Sequence, residues 1–195
     1  MSVRISNNTM EVFNPATGED ITNISMTTLQ ELDSILQTAK AGAENYNYSS
    51  FFRRQKLMTQ LQKGIVRRTD EFIDTICSET GKKADEGLME VFISLEHIKQ
   101  SSHHLYEALG KRSRRSGILK TRKAWVEYEP MGVAGIISPW NYPLILTVSP
   151  LVEALLAGNT VVLKPSEHTP LTTQLLKRVW DESTERPELF QPVYG

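Results

Sequence analysis

Apolar positions recur at helical spacing through the first 110 residues and at strand spacing beyond them. Over 27–46, Leu29, Leu32, Ile35, Leu36 and Ala39 fall on one face and predict a helix. A second helix fits 50–68, with Leu57, Leu61 and Ile65 at four-residue steps. Thr69-Asp70 offers a cap for a third over 71–80, ended by Gly81. A long fourth helix fits 84–109, with Leu88, Val91, Phe92, Leu95, Ile98, Leu105 and Leu109 inward and Gly110 closing it. Ahead of these, VFNPATGEDITNIS (12–25) reads as two short extended pieces around an Asn-Pro and Thr-Gly turn.

The period then changes. KRSRRSGILKTRK (111–123) is basic and aperiodic; it reads as a solvated loop, with a nucleic-acid patch as the alternative. AWVEYEP (124–130) alternates like a strand, and VAGIIS (133–138) is a short continuous apolar run of the kind buried in a parallel sheet. The stretch 143–157 is helical and ends at Gly158-Asn159; TVVLKP (160–165) is another buried strand. Thr169-Pro170 caps and opens a helix running to about Glu182. The expected fold class is α/β: a helical amino-terminal region, then a βαβα unit that starts a Rossmann-like parallel sheet with a right-handed crossover. The divisions fall at 1–110, 111–130 and 131–195.

Composition narrows the function classes. A net charge of −1 over 195 residues, with 39% hydrophobic and 23% charged, is that of a soluble globular chain and makes no case for nucleic acid as partner. One cysteine excludes an intrachain disulfide and any multi-cysteine metal site, which points to a reducing compartment, the cytoplasm. MSVRISNNTMEVF lacks an apolar signal core. Residues 131–152 carry no charge and are long enough to cross a bilayer, but Pro139, Pro143 and Pro150 interrupt them and four polar residues sit among them, so no membrane span is expected.

In an open α/β sheet, ligands bind outside the carboxyl ends of the strands. Asn141 follows the first apolar strand; Lys164 and Glu167 follow the second. If the strands are parallel neighbours, the three share one rim. Lys164 is a flexible cation able to reach a ribose hydroxyl or a phosphate. Glu167 is an acceptor able to take both hydroxyls of a ribose diol. Asn141 offers an amide donor that can stabilise an oxyanion without taking part in proton transfer. Each also has a structural reading: Asn141 as a helix cap, Lys164 and Glu167 as a surface ion pair.

PMGVAGIISPWNYPL, ALLAGNTVVLKPSEHTPL and the earlier FNPATGE together resemble the aldehyde dehydrogenase superfamily, over about residues 10–195. The tyrosine form and SPLVEALLAGN look most like the branch acting on coniferyl-type or other hydrophobic aldehydes. The resemblance implies a partial cofactor domain here, with KAWVEYEP as one piece of an oligomerisation ribbon. It makes Asn141 the oxyanion-hole side chain. It lets Ile137, Ser138, Pro139, Trp140 and Asn141 line the cofactor, and places Lys164, Ser166 and Glu167 in the cofactor-binding stretch, Lys164 and Glu167 on the adenosine ribose. The cofactor implied is NAD, with NADP possible. The reaction implied is oxidation of an aldehyde to an acid through a cysteine thiolate, hydride transfer to the nicotinamide and a glutamate-activated water. The partners implied are the aldehyde, a carboxy-terminal part, and other copies of the chain. In the family the Gly-rich turn, the base glutamate and the nucleophilic cysteine come later than Gly195, so the chain alone is expected to be inactive. Cys77, in an amphipathic helix, reads as structural; His97, His103 and His104 read as surface residues, and no metal site is expected. A non-catalytic nucleotide-binding module and a helical interaction protein are the alternative functions.

Overall fold

The computed structural model describes residues 4–6, 8–118 and 120–195; residues 1–3 and 7, in the stretch read for a signal core, and Leu119, in the expected 111–123 loop, lie outside the described residues. The chain opens with an antiparallel sheet, β1 (Arg4–Ser6), β2 (Thr9–Phe13) and β3 (Asp20–Ser25), in the order β1-β2-β3. The predicted turn joins β2 to β3. Asn14 Oδ1 accepts from the amides of Ala16 (2.8 Å) and Thr17 (3.3 Å), and Gly18 takes the left-handed conformation that lets the chain return.

Four helices follow: α1 (Leu29–Tyr46), α2 (Phe51–Arg67), α3 (Thr69–Thr80) and α4 (Ala84–Leu109). Thr28 and Glu31 form a reciprocal capping box at the start of α1, and Ser50 caps α2. Gly81, at φ 74°, ends α3 in a left-handed turn that feeds α4 within three residues. A two-stranded ribbon pairs β4 (Arg112–Arg114) with β5 (Ala124–Val126). The rest is β6 (Val133–Ile137), α5 (Ile145–Leu156), β7 (Thr160–Lys164), α6 (Pro170–Thr184), a 3-10 turn (Pro187–Leu189) and β8 (Phe190–Pro192). Strands β6, β7 and β8 form a parallel sheet in that order. One core joins front and back, from Tyr46, Leu61 and Phe72 through Ile98 and Leu151 to Trp180 and Phe190.

The structure corrects several expectations. The two extended pieces expected over 12–25 are β2 and β3, and β1 is a further strand ahead of them that was not foreseen. In α1, Leu29 is 82% exposed, and the buried seam is Ala39, Gly42, Ala43 and Tyr46. That half of the helix lies close against the 3-10 turn, where a Cβ on Gly42 would come within 2.9 Å of Glu188, so small residues rather than leucines make the contact. In α4, Leu88 and Phe92 are exposed, whereas Val91, Ile98 and Leu105 are buried. VAGIIS is not fully buried: β6 pairs with β7 alone among the described strands, and Gly135 and Ile137 are exposed, while the first four residues of β7 are buried. The loop expected at 111–123 contributes β4, which is polar on both faces and so left no periodic signal. β8 went unpredicted.

Candidate functional site

The parallel pairing of β6 with β7 sets Ile137 opposite Lys164, so the two βα loops leave the sheet side by side. The Ser138 amide donates to the Lys164 carbonyl at 3.0 Å, extending the ladder one step into the loops. Trp140 meets the His168 ring edge-on at 6.4 Å, bridging the same two loops farther out. Asn141, Lys164 and Glu167 therefore follow the carboxyl ends of neighbouring strands, as the sequence required of a shared rim.

The residues on it differ in presentation. Ile137 is 83% exposed, and Pro139, Trp140 and Asn141 are exposed. Ser138 is buried, and its hydroxyl accepts from Thr147 at 2.9 Å, so its side chain holds the loop to α5. Ser166 is buried and accepts from the His168 amide at 3.3 Å. Lys164 Nζ lies 3.8 Å from Glu167 Oε2, both side chains being part-exposed. That is the surface pair foreseen as an alternative, and such pairs are individually weak enough to open for a ligand.

The capping alternative for Asn141 fails. Its amide hydrogen-bonds to nothing among the described residues, and the start of α5 is served from elsewhere. Glu90, buried on α4, accepts from the amides of Leu144 (2.8 Å) and Ile145 (3.3 Å). The second βα helix is treated the same way. Thr169, expected to cap α6, has a buried hydroxyl without a partner. The cap is Glu79 at the end of α3, which accepts from the amides of Leu171 (2.8 Å) and Thr172 (2.9 Å) and from the Thr172 hydroxyl. Burial pushes the Glu79 carboxyl up to about 7, outweighing those three donors. Sequence reasoning missed both glutamates, because each lies on an amphipathic helix with no local cap pattern and the amides it caps lie 54 to 93 positions away.

The AGN segment is also explained by support. Arg54, 5% exposed, donates to the carbonyls of Leu156 (3.1 Å) and Asn47 (2.9 Å) at the ends of α5 and α1. Gly158, at φ 93°, lies so close that a Cβ there would come within 2.6 Å of the guanidinium. Asn159 Oδ1 accepts from the Gly132 amide at 3.0 Å, fastening the entry to β6.

Other candidates carry less chemistry. Cys77 is part-buried with Sγ against Gly87; burial and the nearby Asp74, Glu86 and Asp85 raise its thiol pKa, the reverse of what a nucleophile needs. His97 pairs with Glu153 at 3.5 Å and His104 with Glu107 at 3.2 Å. Among the described residues no three potential ligands gather for a metal, and no helix is long and apolar enough to cross a membrane. A hollow of about 530 Å³, lined by Ile21, Asp74, Leu171 and Arg178 among others, is not on the rim and converges no reactive groups.

Comparison with known proteins bears on the family and the fold. A sequence profile described as "Aldehyde dehydrogenase family" matches residues 3–195. The chain is 32% identical to the 2-hydroxymuconic semialdehyde dehydrogenase of Pseudomonas sp. (strain CF600), over 97% of its own length and 40% of that protein's. Its fold superposes on an oxidoreductase from Marinobacter aquaeolei with a TM-score of 0.90 at 26% identity, covering 97% of this chain and 39% of that one. It also superposes on a betaine aldehyde dehydrogenase from Staphylococcus aureus, solved in complex with NAD+, with a TM-score of 0.89 at 24% identity, covering 96% and 38%. The chain thus spans about two fifths of the length of the relatives it matches.

Proposed function

This chain belongs to the aldehyde dehydrogenase family, and from that premise we propose that it is the part of an aldehyde-oxidising enzyme that holds a nicotinamide cofactor and presents the oxyanion donor. The observation that carries the reading is the rim: a free, exposed amide at Asn141 beside a cation and a carboxylate at Lys164 and Glu167, at the carboxyl ends of two parallel strands. The residues fit the cofactor. Exposed Ile137 offers an apolar surface, Glu167 an acceptor pair for a ribose diol, and Lys164 a cation for a hydroxyl or phosphate. When bound, the nicotinamide supplies a hydride acceptor. Pro139 and Trp140 would line the cofactor, while Ser138 and Ser166 fix the two loops that carry these groups. Asn141 Nδ2 donates to the aldehyde oxygen as negative charge develops on it.

The preferred cofactor is NAD. Glu167 accepts from both ribose hydroxyls and repels a 2′-phosphate, a difference of about 1–3 kcal/mol, the cost of losing a charge-assisted hydrogen bond. Lys164 moderates this preference. The substrate is a hydrophobic aldehyde, the working enzyme an oligomer, and its setting the reducing cytoplasm. Residues 1–110 and 131–195 form one cofactor unit, with 111–130 as the ribbon. The 195 residues alone do not turn over an aldehyde, because burial and nearby carboxylates raise the pKa of Cys77, their single thiol, the reverse of what a nucleophile needs.

Titration of the isotope-labelled chain with NAD+ tests this. Resonances of 137–141 and 164–167 shift, and NADP+ binds about 5–150-fold more weakly. Glu167→Gln narrows that ratio. An equal or reversed preference in the parent removes Glu167 from the ribose, and cofactor reduction by the chain that survives Cys77→Ala removes the assignment of roles.

A further inference from the structure

The rim needs its amide donor to be still, and what holds it is outside the loop. The loop from β6 to α5 contains two prolines, which fix φ but donate no hydrogen bonds. Pro143 removes one amide just ahead of α5, so the first donors left at the helix start are Leu144 and Ile145. Both are taken by one oxygen of Glu90, whose side chain is fully buried. The other oxygen accepts from Lys82 Nζ at 3.1 Å. Lys82 does more than neutralise it. The same Nζ donates to the Asn141 carbonyl at 2.6 Å and stands 3.8 Å above the centre of the Tyr142 ring. One ion pair thus grips Asn141, Tyr142, Leu144 and Ile145. Among the described residues the Asn141 side-chain amide has no hydrogen-bond partner and is left facing outward from this exposed stretch.

We propose that Lys82 and Glu90 are positioning residues for the Asn141 amide: they clamp its backbone from behind so that the side chain reaches the reacting carbonyl without reorganising. The proposal rests on the reading of Asn141 as an oxyanion donor and adds what orients it. Its physical logic is that of preorganisation. A donor aimed at developing charge is effective when its frame does not move, and a displacement of about 1 Å is worth about a hundredfold in rate. A buried carboxylate shared between a helix start and a lysine is a stiff frame. Each partner satisfies the other: Lys82 sits on the Gly81 corner between α3 and α4, and Glu90 in the second turn of α4, so both lie outside the rim loops.

The clamp is tested on the 195-residue chain by nitrogen-15 relaxation and amide exchange in Lys82→Met, Lys82→Arg and Glu90→Gln, with thermal melts alongside. In Lys82→Met, Asn141 and Tyr142 lose order on the nanosecond scale, and the Leu144 and Ile145 amides exchange at least tenfold faster. Val161 and Leu163 in β7 keep their rates, and Lys82→Arg restores the loop. Should Glu90→Gln not fold, Lys82→Met decides the matter alone. The proposal is overturned if Lys82→Met leaves Asn141 as ordered as the parent, or if β7 loosens equally, which would make the pair a general stabiliser. The NAD+ titration reports on the other reading separately. If NAD+ perturbs neither 137–141 nor 164–167, the cofactor assignment falls whatever the clamp does. If it perturbs them in the parent, weakening at 137–141 but not at 164–167 in Lys82→Met supports the clamp.

Discussion

A β-carbon at position 158 has no room. Gly158 stands at φ 93°, a conformation that costs an L side chain about 1–2 kcal/mol. The space where the carbon would go is filled by Arg54. Gly158→Ala therefore strains the backbone and displaces a guanidinium that holds the carbonyl ends of α5 and α1. The expected loss is about 2–4 kcal/mol, read as a lower midpoint in urea at unchanged slope. Arg54→Met leaves the Leu156 and Asn47 carbonyls without their donors and costs about 3 kcal/mol in the same measurement. Such residues also show why a glycine in a recognisable motif is ambiguous in sequence. The AGN glycine reads equally as a helix stop or a ligand-binding turn, and only the packing of an arginine a hundred positions earlier decides for support.

At the scale of elements, the periodic helices α2 and α4 and the apolar strand β7 were legible because their own residues specify them. Leu57, Leu61 and Ile65 repeat on one face, and Thr160 to Leu163 are buried throughout. The adjacency of Asn141, Lys164 and Glu167 was legible too, as a consequence of parallel pairing. What was not legible depends on distant partners: β4 on β5, β8 on β7, and the starts of α5 and α6 on Glu90 and Glu79. Glu79 makes a pH dependence. Its carboxyl titrates near 7 in the fold, against an ordinary 4.5, so the folded state holds the proton more tightly. Stability is then greatest below pH 4.5 as far as this group is concerned, and falls by up to about 3 kcal/mol as pH rises to 7. Glu31, Glu71 and Glu127, whose carboxyls are lowered, act only below that window. Denaturant melts at pH 5 and 7.5 should show the parent less stable at the higher pH and Glu79→Gln flat. A parent that gains stability instead would mean the α6 terminus holds the carboxylate charged.

At the scale of the whole molecule, the described residues leave apolar surface uncovered in several places, three of them clustered. Leu88, Met89, Phe92 and Ile93 line one side of α4; Ile137, Trp140 and Tyr142 stand on the rim; Ile118, Trp125 and Tyr128 lie on or beside the ribbon. β6 adds an edge unpaired among the described residues. Patches and edges of this kind drive association. The isolated chain is expected to bind a hydrophobic dye and to elute larger than a monomer in light-scattering chromatography. A dye-silent monomer with a sharp thermal transition would show that these faces are tolerated in water.

The two borrowed helix caps bear on heredity and synthesis as well as on the site. A ribosome releasing this chain delivers α3 and α4 before α5 and α6, so the late helices emerge onto a surface already carrying the carboxylates that complete them. Reversed by circular permutation, the same sequence would present α5 and α6 first, with their terminal amides unpaired, and would have to wait across long loops for their caps. The strand–helix–strand–helix unit of residues 131–195 is accordingly not a part that recombination could move alone into another sheet. Expressed by itself it should show weak, non-cooperative helicity by circular dichroism, and adding residues 1–110 in trans should restore the transition.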